Sequence, residues 1–264
     1  MQKLLTTVTS SKLTHFSNAS VSHLQLKNQI GATSAMTWPF IFQQFIMKYL
    51  RSIVIIFFIW TIGGVLLFRF LPVPFTPMML RYCMGEIFDG KWPALTHEWV
   101  AMEKIDSNLK YAVIASEDQR FYEHNGFDFK AIEEAMEERK QGKRKRGAST
   151  ITQQTAKNVF TFGTSTWLRK GFEAYYTVLI ELFWSKERIM EVYLNSIEMG
   201  RGIYGAEAVA QEHFNCSADE LSRSDCALIA ATLPNPKKFS SKNPSPYMLK
   251  RRKQILRQMR LMGK

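Results

Sequence analysis

Cysteine is scarce in this 264-residue chain: Cys83, Cys216 and Cys226 are the full complement. They show no CxxC spacing and no paired His, which argues against a zinc site. An odd number also argues against a disulfide framework. A Cys216–Cys226 pair stays open in an oxidising compartment, and the plainer reading is three small apolar residues. Acids are missing from two long stretches, residues 1–51 and Ala148 to Phe172. Strand-type alternation is rare and there is no internal repeat, which leaves little room for β-rich or solenoid architectures. Two motif matches lack their context. Gly200-Arg-Gly202-Ile-Tyr-Gly205 fits GxGxxG but follows a helical segment rather than a strand, so a turn or tight packing is expected there instead of a dinucleotide site. Ser107-Asn-Leu-Lys110 fits SxxK, yet no KTG follows, and residues 72–264 cannot also house a transpeptidase domain.

Positive charge and apolar side chains are what the chain does have. Net charge is +12, with 46% hydrophobic and 22% charged residues, enough for a core and too apolar for wholesale disorder. Such an excess suggests an anionic partner: nucleic acid, an anionic membrane surface or a phosphorylated substrate. A merely basic surface would look the same.

Residues 52–68, SIVIIFFIWTIGGVLLF, carry no charge and lie between Arg51 and Arg69. The run is at the short end of the spanning range, and snorkelling by Arg69 would let Phe70 and Leu71 extend it. LPVPFTP follows, not a small-residue cleavage site, so a membrane anchor is expected over a removed signal peptide or a core helix. The preceding flank holds Lys3, Lys12, Lys27, Lys48 and Arg51 and no acid. The positive-inside rule therefore places the N-terminus in the cytoplasm. Everything after residue 71 would then lie on the periplasmic, extracytoplasmic side of a bacterial inner membrane, which disfavours nucleic acid as a partner. Residues 1–46 read as a disordered tail. Met47 opens MKYLRSIVIIFF, a basic n-region plus anchor, so translation from Met47 is expected; a peptide from residues 1–46 in the native protein would refute it. The expected division is tail 1–46, flank and anchor 47–71, and one compact domain 72–264.

Within that domain, residues 72–77 form a proline-stiffened linker. Residues 78–107 are mixed, with an amphipathic stretch near 92–102. Helices are expected over 108–118, 129–140, 149–159, 167–183, 186–195, 206–213, 222–232 and 246–262. The fold class is mainly α.

Three places could carry chemistry. Glu117 ends a helical run beside Asp118, where the helix dipole and a second carboxylate should both raise its pKa, as a general base near neutral pH requires. A surface Glu at a fraying helix end is the plain alternative. Ser149, Gln153 and Lys157 are spaced i, i+4, i+8 in GASTITQQTAKN, a stripe of hydroxyl, amide and cation suited to sugar and phosphate oxygens. The run Lys143–Arg146 adds positive potential or is simply a solvated charge run. Arg169, Lys170 and Glu173 open a further apolar helix, with Glu173 read as sitting in its first turn.

The set EDQRFYEHNGFD, GASTITQQTAKN, RKGFEAYYTVLIE, SKERIMEVYLN, GRGIYGAEAVAQEHF and LPNP, in this order, closely resembles the monofunctional peptidoglycan glycosyltransferases. These are relatives of the glycosyltransferase domain of class A penicillin-binding proteins. The resemblance spans about residues 75–240. It implies a mainly α, lysozyme-like, two-lobed fold with a membrane-facing jaw. It also implies an enzyme that polymerises lipid II and releases undecaprenyl diphosphate. By position, Glu117 matches the catalytic base, and Glu173 the second carboxylate on the leaving-group side. Lys157 matches a lysine near the diphosphate; Ser149, Gln153 and Asn158 match donor-site contacts. Asp118, Phe121, His124 and Gly126 complete the first motif, with His124 structural or orienting. No cofactor is evidently required, although a divalent cation (Mg or Mn) at Glu173 fits the resemblance. Membrane lipids, lipid II, the growing glycan and other cell-wall synthesis and division proteins are the implied partners. One departure stands out. The family often has an Arg in the loop before the RK pair, and residues 161–167, TFGTSTW, have no cation, leaving Arg169, Lys170 or the Lys143–Arg146 run to compensate. Two rivals remain: a lysozyme-like glycan-cleaving enzyme, whose Glu would act as general acid, and a catalytically dead anchored scaffold.

Overall fold

The computed structural model describes residues 42–142, 147–162 and 166–263, so the Lys143–Arg146 run, most of the tail and the centre of TFGTSTW lie outside the described residues. Two compact units divide at Thr61 and Ile62. The first is dominated by α1 (Phe42–Phe70), 29 residues with a mean hydropathy of 2.4 in its most apolar window, long and apolar enough to cross a membrane. It begins ahead of Met47, so part of the expected tail is helical. Through Thr61 its large apolar side chains face outward; Trp60 is 80% exposed.

From Ile62 the chain belongs to the second unit, which takes in the last turns of α1. Val65 is fully buried, and its carbonyl accepts a hydrogen bond from Trp184 Nε1–H at 2.8 Å. Arg188 donates to the carbonyl of Phe68 at 2.8 Å and to that of Leu71. Phe68 lies in the last turn of α1, where a helix leaves its carbonyls without partners of its own.

The unit is mainly α, as the sequence leads one to expect. Its helices are α2 (Pro77–Phe88), α3 (Ser107–Glu117), α4 (Phe129–Lys140), α5 (Ile151–Phe160), α6 (Trp167–Phe183), α7 (Lys186–Ser196), α8 (Ala206–Phe214), α9 (Arg223–Ala230) and α10 (Pro246–Leu261). All but α8 begin on a Thr, Asp or Ser whose side chain accepts from a free N–H of the first turn. α2 occupies a stretch where the sequence suggests a linker and mixed structure, although Thr76 as cap and Pro77 at the first position form a recognisable start. The amphipathic pattern of residues 92–102 does not become an α-helix. Thr96 N–H pairs instead with the distant Gly202 carbonyl at 2.9 Å, which draws the segment into a short strand.

That pairing belongs to a small sheet of β1 (Thr96–His97), β2 (Glu198–Gly200) and β3 (Ile203–Tyr204), ordered β1-β3-β2. β1 runs parallel to β3 and β2 antiparallel. The GxGxxG match is therefore a hairpin leading into α8. Gly205, at φ +91°, caps that helix, where a Cβ would lie 2.8 Å from the Asn195 carbonyl oxygen.

The core is continuous across α3, α5, α7 and α9, with Leu109, Ile114, Ile151, Ile189, Met190 and Ile229 inaccessible or nearly so. α3 packs on α9 and α10, and α5 on α2, α6 and α7. The end of α3 and the start of α5 are thus brought side by side from rigid elements, and the candidate site is there.

Candidate active site

α3 ends at Glu117 because Asp118 leaves the helical region, at φ −158° and ψ 78°. Asp118 is buried and acts as a clasp. Its Oδ2 accepts from Ile151 N–H, the first residue of α5, at 3.0 Å, where a helix N-terminus favours negative charge. Its Oδ1 accepts from His124 Nε2 at 2.9 Å. His124 is held in turn from behind, its carbonyl accepting from Lys186 Nζ at 2.7 Å. Phe121 is fully buried under the same ammonium, which lies 4.6 Å from the ring centroid. Gly126, at φ +84°, lets the chain pass α6 so closely that a Cβ would lie 2.7 Å from Thr177 Cγ2. Its carbonyl accepts from Thr150 Oγ1 at 2.7 Å. Asp118, Phe121, His124 and Gly126 therefore hold the loop that connects Glu117 to α4.

Asp118, His124 and Asp128 could geometrically surround a cation. Their atoms are already engaged: Arg120 grips both oxygens of Asp128 at 2.8 and 2.9 Å, and Ile151 and His124 hold Asp118. The cluster reads as hydrogen-bonded scaffolding.

Glu117 itself is half-buried on a cleft of about 1040 Å3 whose lining includes Ser149, Gln154, Pro234, Lys250 and Arg251. Its Oε2 accepts from Gln154 Nε2 at 3.1 Å and its Oε1 from Ser116 Oγ at 3.2 Å. Burial pushes its pKa above the ordinary glutamate value; the Gln154 and Ser116 hydrogen bonds and the Arg251 charge pull the other way, and the Asp118 charge adds a small push. The direction agrees with the expectation from the sequence. The main cause does not: desolvation comes first, and Asp118, turned toward Ile151 and His124, contributes least.

The stripe on α5 differs from the expected one. Ser149 precedes the helix, and Thr150 is its cap. Gln153 is buried and closes a capping box, its Oε1 accepting from Thr150 N–H at 3.0 Å. The helix starts later than the spacing argument assumed, which rotates the cleft-facing set by one residue. Gln154, Lys157 and Asn158, at i, i+3 and i+4, share one cavity. Ser149 still reaches the Glu117 cleft from outside the helix.

Gln154 was not foreseen, although its doublet partner was. Its amide is oriented from within: the fully buried Tyr193 hydroxyl donates to Gln154 Oε1 at 3.1 Å, which directs Nε2 toward Glu117. Tyr193→Phe should free that amide to turn. Glu117 would lose a donor to its charged form, so the acid limb of the rate–pH profile should move to higher pH, with a stability loss of about 1 kcal/mol. An acid limb that stays in place would show that Tyr193 only fills the core.

Glu173 lies in the second turn of α6, not the first, and is 3% exposed. Arg169 Nη1 reaches one oxygen at 3.0 Å and Lys170 Nζ the other at 2.5 Å. This set suits an ion-pair hub; a divalent ion would have to displace a cation from each oxygen. Lys157 lies within its field. Burial lowers the Lys157 pKa first, then the Arg169 charge, while Glu173 raises it. The residues expected from the sequence thus form two groups, one around Glu117 and one around Lys157, joined by Gln154.

A family model described as Transglycosylase matches residues 86–260. A protein of Bacteroides thetaiotaomicron named biosynthetic peptidoglycan transglycosylase is 60% identical over 219 residues, 83% of this chain and 88% of that one. Proteins of the same name from Bdellovibrio bacteriovorus and Pasteurella multocida are 50% identical (81% of this chain, 85% of that one) and 47% identical (85% and 91%).

Proposed function

This chain belongs to the transglycosylase family and is a peptidoglycan glycosyltransferase that builds glycan strands for the cell wall, and from that premise we propose that its substrate is lipid II and its base Glu117. In this reading Glu117 takes the proton of the 4-hydroxyl on the acceptor's N-acetylglucosamine. The oxygen attacks C1 of the donor's N-acetylmuramic acid, the C1–O bond to the lipid diphosphate breaks, and the anomeric centre inverts. Undecaprenyl diphosphate leaves, its charge neutralised by neighbouring cations.

One observation carries the reading: a half-buried carboxylate with a raised pKa, fixed by Gln154, stands in a large polar cleft at the end of a rigid helix. A carboxylate whose pKa is raised toward the working pH is a better match for taking a proton from a sugar hydroxyl. Ser149, Lys157 and Asn158 supply donors along the same cleft system. Gln153, Arg169, Lys170 and Glu173 serve by fixing α5 and by holding charge around Lys157.

The apolar α1 suits an anchor that keeps the cleft near a lipid-borne substrate and raises its effective concentration. The basic, acid-free flank of α1 favours a cytoplasmic N-terminus, with the glycosyltransferase unit on the periplasmic side. Incubation with labelled lipid II tests the proposal. Polymer is the expected product; cleavage of preformed glycan, or no reaction with either, would overturn it.

A further inference from the structure

A cavity of about 510 Å3 adjoins the Glu117 cleft, and Gln154 and Pro234 line both. Arg81 reaches it from α2, Lys157 and Asn158 from α5, and Lys237 from the loop after α9. Asn158 is 4% exposed, and its buried Nδ2 has no hydrogen-bond partner among the described residues. A buried donor without a partner is costly, and the same residue lines the cavity.

The cations divide into committed and uncommitted sets. Arg169 and Lys170 are both taken by Glu173. No Lys or Arg occurs between Lys157 and Arg169. Arg81 and Lys237 form no ion pair among the described residues. Both nevertheless act on the cavity: Arg81 helps lower the Lys157 pKa, and Lys237 that of Glu198. The acids present do not cancel them. Glu86 is tied to Arg201 at 2.9 Å. Glu198 accepts from Gly202 N–H, and its burial favours the neutral form. Asp89, at the α2 C-cap, is the acid left on the lining.

We propose that Arg81 and Lys237 are counter-charges for the diphosphate of the lipid-linked donor, engaging phosphate oxygens beyond the reach of Lys157 and Asn158. The inference rests on the lipid-linked donor proposed above. Arg81 precedes residues 86–260, the stretch that the family model matches, so that model does not contain this part of the grip. The grip brings positive charge to the cavity from two elements other than α5. As the C1–O bond breaks, the electron pair goes to the diphosphate oxygen, and these cations stabilise the charge that gathers there.

Two measurements test it on the full-length protein: the lipid II KM and kcat, and calorimetric binding of inorganic pyrophosphate. Arg81→Ala and Lys237→Ala should each raise KM up to about fivefold, and together about tenfold, with a parallel loss of pyrophosphate affinity. Higher salt should shrink the difference. Arg81→Lys should recover part of it, since a point charge replaces a two-pronged donor. A double variant whose KM and pyrophosphate Kd both stay within about twofold of wild type overturns the proposal. If wild type makes no polymer, yet pyrophosphate binds and is lost in the double variant, the phosphate site stands and the donor reading falls.

Discussion

Glu117→Gln is expected to lower turnover of lipid II by roughly 10^2- to 10^4-fold, the range associated with removing a positioned general base. The amide has nearly the carboxylate's shape and can still meet Gln154 and Ser116, so the cleft should keep its form. What disappears is the acceptor for the hydroxyl proton. Stability should not suffer. Because burial raises the pKa of Glu117, the folded state holds its proton more tightly than the unfolded chain does. Its contribution to stability therefore falls as pH rises between the ordinary glutamate range and the raised value. Glutamine removes that loss, and the thermal midpoint at neutral pH should match or exceed that of wild type. The wild-type rate should fall as pH drops through the raised pKa, on a limb displaced upward from the ordinary glutamate value, and the variant should lack that limb. A variant keeping more than about a tenth of wild-type turnover would move the base elsewhere.

Asp118→Ala should be the more damaging change to the fold. The side chain is buried and joins α3 to α5 through Ile151 N–H and to the following loop through His124. Alanine would leave both donors unpaired away from water, at a cost of roughly 3–5 kcal/mol. Activity should fall as well, because the start of α5 sets where Gln154 meets Glu117. Asp118→Asn keeps one acceptor and should lie between alanine and wild type. Urea unfolding measures the loss, and a change below about 1 kcal/mol would mean that the clasp is redundant.

Most helices were legible because their caps and apolar spacing are local signals. The 129–140 and 167–183 boundaries agree with the structure at both ends. α2 was legible too, in Thr76-Pro77, but the prolines before it suggested a linker. The short sheet was not: β1 depends on Gly202, far along the chain. In the site, Glu117 and its raised pKa could be anticipated, while the cause could not, because desolvation depends on α10 and α5 arriving from elsewhere. Gln153 and Gln154 are the clearest case. Sequence spacing fixes which residues share a face, but the first residue of the helix decides which face meets the cleft. Ser149 and Thr150 both read as caps from the sequence; with Thr150 as the cap, Gln153 becomes the capping amide and Gln154 the one that touches Glu117.

The hydrogen bonds from Trp184 and Arg188 to the end of α1 also bear on how this enzyme can be cut. Hydropathy would place a soluble fragment's first residue after Leu71. Such a fragment would carry an indole N–H without its acceptor and a guanidinium left with Glu191 as its acceptor, beside the socket that Val65 fills. The turn between α6 and α7 would be the first part to loosen, and Glu173 and Tyr193 lie on those helices. The working enzyme therefore extends back into its own greasy segment as far as Ile62, and a well-behaved truncation must retain that stub together with the detergent it demands.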